Sequence, residues 1–206
     1  MRGLLIGLAL ALVASAASAQ TQQQRDWCYS DTATDDQTID GCTALIQSGR
    51  ETTVGQAAAY DNRGYAYEDK RLYDQAIADE TEALALNPND PATYNNRGIA
   101  YDDKGLYDLA IADYTRAIAL KPDYAHAYNN RGLAYANKGL YAPAVSDYNQ
   151  ALALKSDYAV ALENRGILNE KMGSREQAVS DYRDALRLDP SLRKARDGLT
   201  RLGVTP

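Results

Sequence analysis

Phenylalanine is absent from the 206 residues, and histidine and tryptophan occur once each. A single histidine, His126, cannot build an imidazole cluster for a metal, and no Ser or Cys near it stands in a nucleophile context. No glycine-rich phosphate loop occurs either. The chain is therefore expected to be no enzyme and to need neither cofactor nor metal. Basic residues are in deficit, 22 Lys and Arg against 28 Asp and Glu, for a net charge of −6. Nucleic acid needs a basic face, so it is a poor partner for this chain. Long apolar runs are missing too. The stretch Leu4–Val13 falls short of the roughly 20 residues that span a bilayer. With Arg2 ahead of it and Ala17-Ser18-Ala19 behind it, residues 1–19 read as a secretory signal peptide cut after Ala19. The small, Ala/Leu-rich centre points to a bacterial protein exported to the periplasm or the medium.

Cysteine is scarce as well. Cys28 and Cys42 are the only two, and thirteen intervening residues do not make a Cys-x-x-Cys redox or metal motif. In an oxidising compartment they are expected to pair, closing a loop of about 15 residues worth on the order of 3 kcal/mol. Thr34-Asp35-Asp36 looks like a helix start, Ile39, Cys42, Leu45 and Ile46 share a helical face, and Gly49 is a stop. This predicts a helix near Asp36–Ser48, tied to the Trp27-Cys28-Tyr29 strip, within an N-terminal capping segment over 20–56.

The dominant feature of the remaining chain is a repeat. The phrase Tyr94-Asn95-Asn96-Arg97-Gly98-Ile99-Ala100-Tyr101 returns at Tyr128–Tyr135, and more weakly at Tyr60–Tyr67 and Leu162–Asn169, always at a step of 34 residues. Such a period marks stacked helical hairpins. It divides the chain into four units, 57–90, 91–124, 125–158 and 159–192. In the second, Tyr94, Arg97, Gly98 and Tyr101 share one helical face, and Ala110, Asp113, Tyr114, Ala117 and Ile118 another. Gly105 separates the two helices, and Pro122 ends the second. Gly64, Gly98, Gly132 and Gly166 lie mid-helix, which predicts close helix approach with Ala76, Ala110, Ala144 and Ala178 as the facing residues. The 16 tyrosines follow the repeat and so read as packing. Residues 193–206 carry Ala195, Leu199 and Leu202 among basic residues, an amphipathic cap and tail.

With Tyr94-x2-Arg97-Gly98-x2-Tyr101, then Ala110-x3-Tyr114, then Pro122, the chain resembles the tetratricopeptide repeat (TPR) family over about residues 57–192. The departures are Arg71 where the other units have Gly, Glu80 where they have Tyr, Ser156 for Pro, and Leu162 and Asn169 for Tyr. The resemblance implies an all-α, right-handed superhelical solenoid of antiparallel helix pairs, capped at both ends. Where the family commonly has Leu stand Arg63, Arg97, Arg131 and Arg165, and before each second-helix aromatic position stands Asp79, Asp113, Asp147 or Asp181. A ladder of bidentate pairs is expected.

In this family the first helices line a concave wall. The resemblance places Asp61, Tyr65 and Glu68, then Asn95, Ile99 and Asp102, then His126, Asn129 and Leu133, then Glu163, Ile167 and Glu170 along it. Members that grip a C-terminal carboxylate use Lys, Arg and Asn at places held here by Asp61, Tyr65, Asn96, His126 and Asn130; only Asn96 fits, which argues against that mode. The implied function is an adaptor whose mildly acidic groove takes a neutral to basic polypeptide. The alternative is a structural part of a cell-envelope complex, docking by its end helices.

Overall fold

The structure is a computed structural model describing residues 21–205; the signal-peptide reading of residues 1–19 lies outside them. The described residues form helices joined by short turns, and none of these helices is long and apolar enough to cross a membrane. Residues 21–29 are helical (α1). After it come α2 (Asp35–Ser48), α3 (Thr53–Asp69), α4 (Tyr73–Leu86), α5 (Pro91–Asp103), α6 (Tyr107–Leu120), α7 (Ala125–Asn137), α8 (Tyr141–Leu154), α9 (Ala159–Lys171), α10 (Arg175–Leu188) and α11 (Arg193–Arg201). They fall into two compact units that divide within α5, after Ala100.

In the first unit the expected strip around Cys28 is instead the end of α1. The Thr-Gln-Gln-Gln-Arg-Asp start of that helix carries no apolar periodicity to announce it. α2 begins with a reciprocal cap: Thr34 Oγ1 accepts from the Gln37 amide, and Gln37 Oε1 accepts from the Thr34 amide at 3.0 Å. Cys28 and Cys42 form a disulfide, and both are buried with Leu45 and Ala59. α3 then packs on both α2 and α4.

In the second unit α7 packs on α6 and α8, α9 on α8 and α10, and α11 on α9 and α10. Gly132 and Gly166 accommodate a large side chain of the facing helix, which corrects the expectation that an alanine is what faces them. A Cβ on Gly132 would lie 2.9 Å from the Tyr148 ring, and one on Gly166 2.8 Å from Tyr182. The Ala144 carbonyl comes next, at 3.3 Å from that position on Gly132. Tyr114, Tyr148 and Tyr182 are the largest fully buried side chains. Ala195 and Leu199 of α11 close over Tyr182 and Ala185, so the apolar end of the last hairpin is covered.

Candidate functional site

Three hairpins carry the same charged clasp. Arg63 Nε and Nη2 donate to Asp79 at 2.7 and 2.8 Å, Arg131 to Asp147 at 2.7 and 2.8 Å, and Arg165 to Asp181 at 3.0 and 2.6 Å. The remaining Nη1 reaches back to the preceding second helix. Arg97 bonds Thr81, Arg131 bonds Thr115 and Arg165 bonds Asn149, while Arg63 uses Thr43 of α2 in the same way. One guanidinium therefore fastens its own hairpin and its neighbour with three donors, which an ammonium group could not do. Tyrosines flank the group: Arg63 lies 5.6 Å from the Tyr60 ring centre and 5.9 Å from Tyr67, and Arg131 stands likewise to Tyr128 and Tyr135. The repeat pattern reads these tyrosines as packing alone. Their spacing of three before and four after each Arg is the signal for the second role. In the last hairpin the place of Tyr67 is held by Asn169, which donates to Asp181 at 2.9 Å. Asp113, the remaining aspartate of the series, is also buried.

The residues expected along a groove divide sharply. Asn95, Asn129 and Glu163 are buried and are not available to a ligand as they stand. Asn129 accepts from Asn164 at 3.0 Å and donates to Asn130. Glu163 Oε1 accepts the Ala195 amide at 2.9 Å, serving the first turn of α11. Glu170 is likewise taken: it receives two bonds from Arg201 at 2.9 Å and one from the Tyr182 hydroxyl at 2.6 Å. These partners, Arg201 foremost, hold its carboxyl below the usual range. His126 is exposed but bonded through Nδ1 to Tyr158 at 2.9 Å, and burial, Lys155 and Lys121 hold it below its usual value. Asp102 is half-buried and bonded to Asn137, and burial pushes it up to about 6. Ile99, Leu133 and Ile167 are partly exposed.

Asp61 in the first unit meets Glu80, which holds the place of the buried tyrosines. Glu80 is 1 % exposed, with one carboxyl oxygen lacking a partner among the described residues. Burial, then the charge of Asp61, push it up to about 11, so it is neutral at pH 7. Near the other end of α3, Tyr65 is 54 % exposed beside a cleft of about 360 Å³ whose lining includes Tyr29, Asp31, Asp35, Asn62 and Asp69. Asp69 above all, with burial, Glu68 and Asp35, raises the Tyr65 hydroxyl above its ordinary value. The second unit has a different cleft, of about 290 Å³, between Leu133, Tyr148, Ile167 and Leu168, with Lys171 and Lys194 on its lining. Among the described residues no group of three or more His, Cys, Asp or Glu is placed to hold a metal ion.

Tetratricopeptide repeat models match residues 57–90, 81–112, 100–139, 125–158 and 159–192, leaving no gap from 57 to 192. The chain belongs to the tetratricopeptide repeat family. No curated protein matches it by sequence. Among solved structures it is similar to MamA, at 25 % identity and a TM-score of 0.66 over 76 % of this chain and 89 % of that one. A tetratricopeptide repeat protein from Parabacteroides merdae is similar at 18 % identity and a TM-score of 0.72, over 88 % of this chain and 72 % of that one. The first TPR of Spaghetti, bound to an HSP90 peptide, is similar at 31 % identity and a TM-score of 0.54, over 55 % of this chain and 90 % of that one.

Proposed function

We propose that the chain is a non-enzymatic adaptor that holds a polypeptide segment against the first helices of its repeats. Family membership supports a protein–protein interaction module, and the similar Spaghetti domain is bound to a peptide. The observation that carries the reading is Tyr65, a large ring left more than half exposed at an acidic cleft. An aromatic face beside Asp69 and Glu68 suits a neutral to basic segment, with the ring taking apolar or cationic groups and the carboxylates steering cations. The working organisation is a cap over 20–56, repeats at 57–90, 91–124, 125–158 and 159–192, and a closing helix and tail over 193–206. Export to the periplasm or medium fits the leader pattern in residues 1–19 and the Cys28–Cys42 disulfide.

Selection of random displayed peptides on the full chain tests the reading. Neutral to basic sequences should be enriched, and Tyr65→Ala with Glu68→Lys should lose them at unchanged helical content. No enrichment, or enrichment indifferent to that variant, rejects it.

A further inference from the structure

The second unit's cleft differs in chemistry from everything the net charge of −6 suggests. Leu133, Ile167 and Leu168 make its walls apolar, and Tyr148 lines it between them. Its volume of about 290 Å³ lies at the lower edge of the roughly 300–1,000 Å³ typical of ligand sites, room for one large side chain rather than a cofactor. Two amides border it. Asn164 donates its Nδ2 to Asn129 and Asn137 is bonded to Asp102; among the described residues neither side-chain oxygen accepts a hydrogen bond, so each can take an N–H. Lys171 and Lys194 complete the lining, and neither has a carboxylate within ion-pair distance among the described residues. α11, which supplies Lys194, also carries Arg193, Arg196 and Arg201 against the single acid Asp197. The acids on nearby stretches of α9 are occupied elsewhere, Glu163 by the Ala195 amide and Glu170 by Arg201 and Tyr182.

We infer that this cleft takes an apolar side chain flanked by acidic residues on a partner polypeptide, the apolar group between Leu133 and Ile167 and the carboxylates against Lys171 and Lys194. An apolar anchor supplies the affinity, and two unneutralised lysines at the margin, which outnumber the Asp102 carboxylate acting on Asn137 and Tyr148, select the sign of the flanks. The uncommitted Asn137 and Asn164 oxygens suit the backbone N–H groups of a peptide better than a free carboxylic acid, which offers none. This inference rests on the polypeptide-binding reading, and it assigns the second unit a preference opposite to that of the cleft at Tyr65.

The test is an amide NMR titration of the full chain with a peptide capped at both ends, Ser-Gly-Glu-Leu-Glu-Gly-Ser. A matched peptide with Lys in place of both Glu residues and another with Ala in place of Leu serve as comparisons. Expected are shifts at Leu133, Ile167, Lys171 and Lys194 with the acidic peptide, weakened about tenfold or more by Lys171→Glu with Lys194→Glu. Both lysines are exposed, and a thermal unfolding scan of the variant checks that it folds. Replacing Leu by Ala should weaken binding similarly. Binding of the basic peptide alone, lost in Tyr65→Ala, overturns this inference and leaves the adaptor reading standing. Acidic-peptide binding that ignores the lysine variant also overturns it, while silence from all three peptides overturns it with no support left for the adaptor reading from these probes.

Discussion

The hairpin α3/α4 and the hairpin α7/α8, two repeat lengths apart, are built on one frame and differ at two internal positions that matter. Both have a bidentate Arg–Asp clasp with the same pair of distances and the same flanking tyrosines. Where α8 buries Tyr148 against Gly132, α4 buries Glu80 against Gly64. Where the α7/α8 turn has Gly139 at φ 77°, the α3/α4 turn has Arg71 at φ 59°, a left-handed conformation that costs a residue with a Cβ. The frame tolerates both departures because the clasp does not depend on either. The first hairpin is therefore expected to be the less stable of the two and to lose stability as pH rises above neutral.

The largest effect expected concerns what the hairpins share. Arg131→Leu leaves Asp147 buried without its partner and should cost about 3–5 kcal/mol in urea unfolding, and Arg63→Leu about as much. Replacing Arg131 and Asp147 together by Leu should cost far less, because no orphaned charge remains. Equal losses from the single and double changes would break the clasp account.

Next comes the acid that separates them. Unfolded, Glu80 gives up its proton near 4.5; folded, it keeps it to about 11. The folded chain binds the extra proton throughout that window, so this contribution is full below about 4.5 and declines as pH rises toward 11. The slope reaches about 1.4 kcal/mol per pH unit. Asp102, raised to about 6, acts in the same direction only at lower pH. Between pH 6.5 and 9 the wild type should therefore lose stability steadily, and Glu80→Gln should flatten the curve. An unchanged slope in that variant would remove Glu80 as its cause.

The smallest effect is at the turn. Arg71→Gly should stabilise by about 1 kcal/mol and Gly139→Arg destabilise by about as much. Urea midpoints that move together in the same direction would contradict the assignment of strain to Arg71.

The hairpins were legible because their determinants recur at 34-residue steps, and the clasp because Arg and Asp recur at a separation of 16, the distance across two antiparallel helices. The groove was less so. Glu163 and Glu170 occupy wall positions of the repeat, yet their partners, the Ala195 amide and Arg201, come from α11, which lies outside the period. Asn129 is spent on Asn130 and on Asn164 of the next repeat, a contact the pattern within a single unit does not contain. Helix α1 was hidden because a Gln-rich stretch has no apolar period, and its position depends on the disulfide partner in α2.

The central claim is that the first helices, and not the clasped interiors or the second helices, meet the partner. Amide hydrogen exchange of the full chain with a peptide enriched by selection measures this most directly. Slowed exchange is expected within α3, α7 or α9, with little change in α4, α8 and α10. Protection concentrated on those second helices, or none at all at saturating peptide, would contradict it.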